Sequence, residues 1–129
     1  MKIINGFPPN YRALNARFNI RGKPVFITYG EMVYVTKPGV KLQPQDLAHE
    51  AVHSARQCAM GVNDWWALYL KDSQFRLDEE VLGHRAEVRA LKDKQLATPE
   101  HIKLIAQRLS SDLYGSMVTF ERALKLIGG

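Results

Sequence analysis

Cysteine is almost absent. Cys58 stands alone among 129 residues, so no internal disulfide can form and an oxidising compartment is not indicated. Long apolar runs are also missing. No stretch approaches the roughly 20 residues of a membrane-spanning helix, and no charged-then-apolar opening resembles a signal peptide. These absences predict a cytoplasmic protein with no membrane partner. Clustered positive charge is lacking too. The net charge is +5, but the basic residues are spread along the chain. With no nucleic-acid-binding motif, specific nucleic-acid recognition is not expected, although the surplus suits an anionic partner such as a cell-wall polymer. There is no internal repeat and no low-complexity segment. A hydrophobic fraction of 46% and a charged fraction of 24% are ordinary for a globular chain. They predict one domain over residues 1–129.

Histidine is scarce, with 4 in the chain, yet two of them fall in His49-Glu50-Ala51-Val52-His53. This is H-E-x-x-H. On a helix, positions i and i+4 share a face, so two imidazoles at that spacing can bind one Zn²⁺ while Glu50 reaches a water in an open coordination position. Such a site performs metal-assisted hydrolysis, with Glu50 as general base. The flanking residues predict a helix. Pro44 suits a first turn, Asp46 complements the helix dipole, Gln45 to Met60 holds no glycine or proline, and Gly61 closes the segment. Leu47, Ala48, Ala51, Val52, Ala55 and Ala59 form a small-residue apolar side expected to pack against a neighbour, with the histidines facing elsewhere. Cys58 faces away from them and is expected to be a packed thiol.

A catalytic zinc site needs a third protein ligand. The longer metzincin pattern is excluded, because Arg56 and Ala59 stand where it requires glycine and histidine. The segment Asp72 to Leu96 reads as a long amphipathic helix with a stripe of Leu77, Val81, Val88 and Leu91. Glu80 borders this stripe and is the leading candidate for third ligand. Glu79 is the reserve, and Asp78 faces away. His84, one turn beyond Glu80, can donate to an oxyanion or orient Glu80, or simply bond to backbone. His101, near a helix start, reads as a surface residue.

The remaining pattern predicts a mostly-α α+β fold. Residues 1–24 show little periodicity and read as an irregular lead. Val25 to Tyr29 and Met32 to Val35, joined at Gly30-Glu31, predict a small hairpin. Asn63 can cap a short helix through Leu70. Of its adjacent tryptophans, Trp65 and Trp66, one is expected in the core and the other in a cleft or against a partner. Thr98-Pro99-Glu100 opens a helix to about residue 110. Thr119 can cap a last one, ended by Gly128-Gly129.

In order, the chain shows a short β segment, L-A-H-E-A-V-H-S-A-R-Q, a Trp/Tyr-rich stretch, F-R-L-D-E-E-V-L-G-H-R-A-E, and L-Y-G-S-M-V-T-F-E-R-A. Over roughly residues 25–127 this resembles a family of small HExxH proteins of tailed bacteriophages and prophages, described from their motif as zinc metallopeptidases. It is similar in plan to the minimal gluzincins, which keep a strand, the HExxH helix and a glutamate helix. H-E-x-x-H followed by Arg56-Gln57 is the most specific part. The resemblance implies His49, His53 and Glu80 as zinc ligands and Glu50 as general base. It also implies an edge strand beside the cleft that a peptide substrate can extend. Relatives tend to read E-x-E-A-Y where this chain has Glu80-Val81-Leu82-Gly83-His84, so imidazole replaces a phenol. Three functions follow as expectations: a zinc metallopeptidase acting on peptides, a peptidoglycan amide hydrolase acting on cell-wall peptides, and a non-catalytic virion component that binds other phage structural proteins.

Overall fold

The computed structural model describes residues 1–128. Along these run β1 (Lys2–Asn5), α1 (Tyr11–Phe18), β2 (Phe26–Tyr29), β3 (Met32–Val35), α2 (Pro44–Met60), α3 (Val62–Lys71), α4 (Ser73–Asp93), α5 (Pro99–Leu109), a 3-10 turn (Asp112–Tyr114) and α6 (Phe120–Gly128). The fold is the mostly-α α+β class that the sequence predicts. Gly129, expected to help end the last helix, lies outside the described residues.

Local chemistry sets the helix ends. The Asp46 carboxylate accepts from the Gln43 backbone N–H at 2.9 Å, with Pro44 in the first turn of α2. Asp72 accepts from the backbones of Gln74 and Phe75 to start α4, and Thr98 accepts from His101 to start α5. Each such cap contributes about 1 kcal/mol. Asn63 does not cap α3. It lies inside that helix, which begins after Gly61, and its side chain accepts from the Tyr29 hydroxyl instead.

The hairpin is present, but it belongs to a three-stranded sheet of order β1-β3-β2. β2 and β3 pair antiparallel with Thr28 opposite Val33, and β1 pairs parallel to β3. The irregular lead expected over 1–24 is therefore corrected: it supplies an outer strand and a helix. Its four-residue strand and eight-residue helix are too short to show a period, and tertiary packing decides them.

Two apolar clusters form the core. One joins Leu77, Val81, Val88 and Leu91 of α4 to α5 and α6. The other joins Leu14, Phe18, Ile20 and Ile27 to Trp65, Trp66 and Tyr69 of α3. Both tryptophans are buried in this cluster, and both also line the cavity described below. A helix of successive residues can bury both when it is covered on two sides, here by the sheet side and by α4.

α2 reverses the expected orientation. Its buried residues are His49, Glu50, His53, Ser54 and Gln57, while Ala51, Ala55 and Ala59 are exposed. The small-residue side faces solvent, and Cys58 is exposed rather than packed. His49 and His53 find their polar partners on α4, while Glu50 and Gln57 find theirs on β2 and its turn, which is the condition for burying them without large cost.

Candidate metal centre

The α2–α4 seam is polar throughout. α4 sends Arg76, Glu79, Glu80, His84 and Glu87 inward, all buried, opposite the two histidines of α2. Gly83 allows the approach. A Cβ at that position would lie 2.7 Å from His49 Nε2, so any side chain there would displace the imidazole.

Three donor atoms converge in this seam. His49 Nε2 and His53 Nε2 are 3.0 Å apart, and Glu80 Oε1 is 3.0 Å from the first and 3.2 Å from the second. Donors bound to a tetrahedral zinc at ordinary lengths lie about 3.3 Å from one another, so the triangle is nearly of the right size. The proton arrangement agrees. His49 Nδ1–H donates to Glu87 Oε1 at 2.8 Å, which leaves a lone pair on Nε2. That lone pair faces a carboxylate oxygen, another acceptor. Two acceptors at 3 Å require a cation or a proton between them. Burial opposes the charged form of His49, but Glu50, Glu80 and Glu87 outweigh it and raise its pKa well above the ordinary value. Burial likewise opposes ionisation of Glu80, yet His53 and His49 hold its carboxyl well below the usual range. The site is built for positive charge.

The surroundings hold these ligands in place. Tyr69 donates its hydroxyl to Glu80 Oε2. Burial, then Glu80, raises the Tyr69 pKa well above the ordinary value, so the phenol stays a donor. Arg76 donates to the backbone carbonyls of Tyr69 (2.7 Å) and Tyr114 (2.9 Å), tying α3 and the 3-10 turn to α4. Glu79, the reserve ligand, is committed elsewhere. It accepts from Arg56 Nε at 2.6 and 2.8 Å and from Trp65 Nε1 at 2.7 Å, on the far side of His53.

Glu50 does not join the triangle. Its Oε1 accepts from Thr28 Oγ1 at 3.0 Å, and its Oε2 lies 3.8 Å from His49 Nε2. Burial raises its pKa, with His49 and His53 pulling the other way. Gln57 fixes the strand that carries Thr28. Its Nε2 donates to the Thr28 carbonyl at 2.9 Å, and its Oε1 accepts from the Gly30 N–H at 2.8 Å. β2 is thus an edge strand stapled beside Glu50, as the resemblance implied.

His84 sits away from Glu80. It is fully buried, with its ring 4.5 Å from that of His49. Its Nδ1 donates to Glu87 Oε1 at 3.0 Å, and its Nε2 has no partner among the described residues. It bonds neither Glu80 nor a backbone carbonyl, and it is not among the residues that line the cavity at the site. His101 donates to or accepts from nothing in the site; its Nδ1 bonds the Leu96 carbonyl at 2.7 Å.

Glu87 is the functional residue that the sequence reading missed. One carboxylate oxygen takes both His49 and His84, and the other takes Arg108 Nη2 at 2.7 Å. Its signal was helical spacing, since Glu80 and Glu87 are seven residues apart and share a face of α4. His49, His84 and Glu87 also lie close enough to hold an ion together. That grouping, however, would engage the edge of His49 whose proton is already donated, whereas the His49–His53–Glu80 set leaves it intact.

A cavity of about 170 Å³ opens at the centre, lined by His49, Glu50, His53, Glu80 and Tyr114 on one side and by apolar residues of α1, β2 and α3 on the other. No family model matches the chain, and no curated protein or solved structure is significantly similar to it. The buried His/Glu groups can hold a metal ion, and no described helix is long and apolar enough to cross a membrane.

Proposed function

We propose that this chain is a zinc-dependent hydrolase, most simply a metallopeptidase. The observation that carries the reading is the division of labour among buried groups. His49, His53 and Glu80 converge as ligands, while Glu50 stands beside them with one oxygen free of hydrogen bonds and 3.8 Å from His49 Nε2. Two imidazoles and one carboxylate are a donor set suited to catalytic zinc. A zinc ion held there would acidify a water and polarise a carbonyl.

The chain's own residues do the rest. Thr28 fixes the Glu50 carboxylate, which accepts the proton of the attacking water and passes it to the leaving amine. Burial makes Glu50 a stronger base than an exposed carboxylate. Tyr114 presents a phenol to the same cavity. Burial first, then Glu80, raises its pKa well above the ordinary value, so it remains protonated as a donor to the carbonyl oxygen as charge develops there. This gives Tyr114 the role expected of His84. At the outer edge of β2, where Gln57 takes the Thr28 carbonyl and the Gly30 N–H, the Phe26 backbone is left to align an extended peptide.

Glu50→Gln separates catalysis from metal storage. Zinc content should stay at the wild-type level while hydrolysis of a peptide library falls by about 10²–10⁴-fold, followed by mass spectrometry of the products. A chain in which the ion is only structural would be indifferent to the change. Activity retained in the variant would therefore refute the hydrolase assignment.

A further inference from the structure

The apolar half of the central cavity has no part in holding a metal or moving a proton. Leu14 and Phe18 of α1, Val25 before β2, and Trp66 of α3 line it, in the same cavity as Glu50. An apolar cavity of about 150 Å³ holds one benzene ring. The whole space here is about 170 Å³, and the polar end must also take the reacting carbonyl, so there is room for one large side chain and not for two.

The strand at its edge fixes how a peptide would enter. In the β2–β3 ladder Tyr29 stands opposite Met32 and Ile27 opposite Tyr34. The Thr36 N–H donates to the Val25 carbonyl, so by alternation Val25, Ile27 and Tyr29 bond to β3. Phe26 and Thr28 then turn their backbone groups to the outer edge, where the Thr28 carbonyl is taken by Gln57. The backbone of Phe26 remains for an incoming strand, next to the chamber. Trp66, on the chamber wall, has a buried Nε1–H with no acceptor among the described residues.

Resting on the hydrolase reading, we infer that this chamber is a specificity pocket: the substrate is a peptide with one bulky apolar residue, leucine or phenylalanine in size, flanking the bond that is cut. The chamber's walls come from the N-terminal segment and from α3, so recognition and metal binding are carried by different residues.

The test uses the Glu50→Gln protein, both zinc-loaded and metal-free, titrated calorimetrically with acetyl-Gly-X-Gly-amide where X is Ala, Leu or Phe. The Leu and Phe peptides should bind about tenfold or more tightly than the Ala peptide in both states, the scale expected for burying one such side chain. Leu14→Trp or Val25→Phe, which fill the chamber, should erase that preference while circular dichroism and zinc content stay unchanged; two variants are made in case one fails to fold. Equal affinities, no measurable binding up to millimolar peptide, or a preference that survives in a folded filled variant would overturn the inference. Preference without zinc binding would sink the hydrolase reading alone. Glu50-dependent cleavage without preference would sink this inference alone.

Discussion

Glu87 shows how much of a metal site lies behind its ligands. Its carboxylate orients His49 by accepting the Nδ1 proton, and Arg108 and His84 saturate it in turn. Burial opposes its ionisation, yet the bonds from His49 and His84 keep its carboxyl far below the ordinary range. Partners of this kind typically contribute 10–100-fold to metal affinity. Glu87→Gln should weaken zinc binding by about that factor, measured by chelator competition at fixed pH, and unchanged affinity would contradict the orienting role. His84 supplies one pH-sensitive contribution to the stability of the metal-free fold. Burial, then the charge of His49, lowers its pKa from 6.5 to about 4, with Glu87 opposing. The unfolded chain takes up this proton near 6.5 and the folded chain only near 4. The contribution to stability is therefore whole above 6.5 and is lost as pH falls from 6.5 towards 4. Ring NMR of metal-free protein should show one histidine titrating near 4 that disappears in His84→Gln. A midpoint at or above 6.5 for that resonance would contradict the burial account.

At the scale of elements, what was legible in the sequence was what local chemistry decides. α2, α4, α5 and α6 carry their own caps and spacing, and all four lie within three residues of the predicted ends. α4 also shows where reading by apolar stripe stops. Leu77, Val81, Val88 and Leu91 do face a core, but the side of the helix next to that stripe is equally buried with Arg76, Glu79, Glu80, His84 and Glu87. A helix buried on two adjoining sides shows only its apolar stripe on paper, so nothing singled out Glu87. β1 and α1 were illegible because their stability comes from distant contacts. The Phe18 ring lies edge-on to Tyr69 at 6.0 Å and under the Arg76 guanidinium at 5.1 Å. Phe18→Ala should therefore cost about 3–5 kcal/mol, as for a large core aromatic, read from urea denaturation. A cost below about 1 kcal/mol would mean that α1 is the loose lead its sequence suggests.

At the scale of the whole molecule, the arrangement is one polar seam between two apolar clusters, with a short sheet stapled to one end. Arg56-Gln57, which follows the H-E-x-x-H pattern, has a physical role in this plan. Arg56 binds Glu79 of α4 and Gln57 binds the hairpin, so one helix turn locks both neighbours around His49 and His53. The convergence of His49, His53 and Glu80 was legible because spacing on two helices constrains it. The facing cavity was not, since α1, β2 and α3, three separate segments, build its apolar wall. The hydrolase reading depends on that seam holding a cation. The most direct test is elemental analysis of protein purified without chelators, in parallel with Glu80→Ala. The account predicts about one zinc per chain, as in a three-ligand site, and a sharp loss in the variant. No zinc in the wild type even after it is added back, or full zinc in Glu80→Ala, would contradict it.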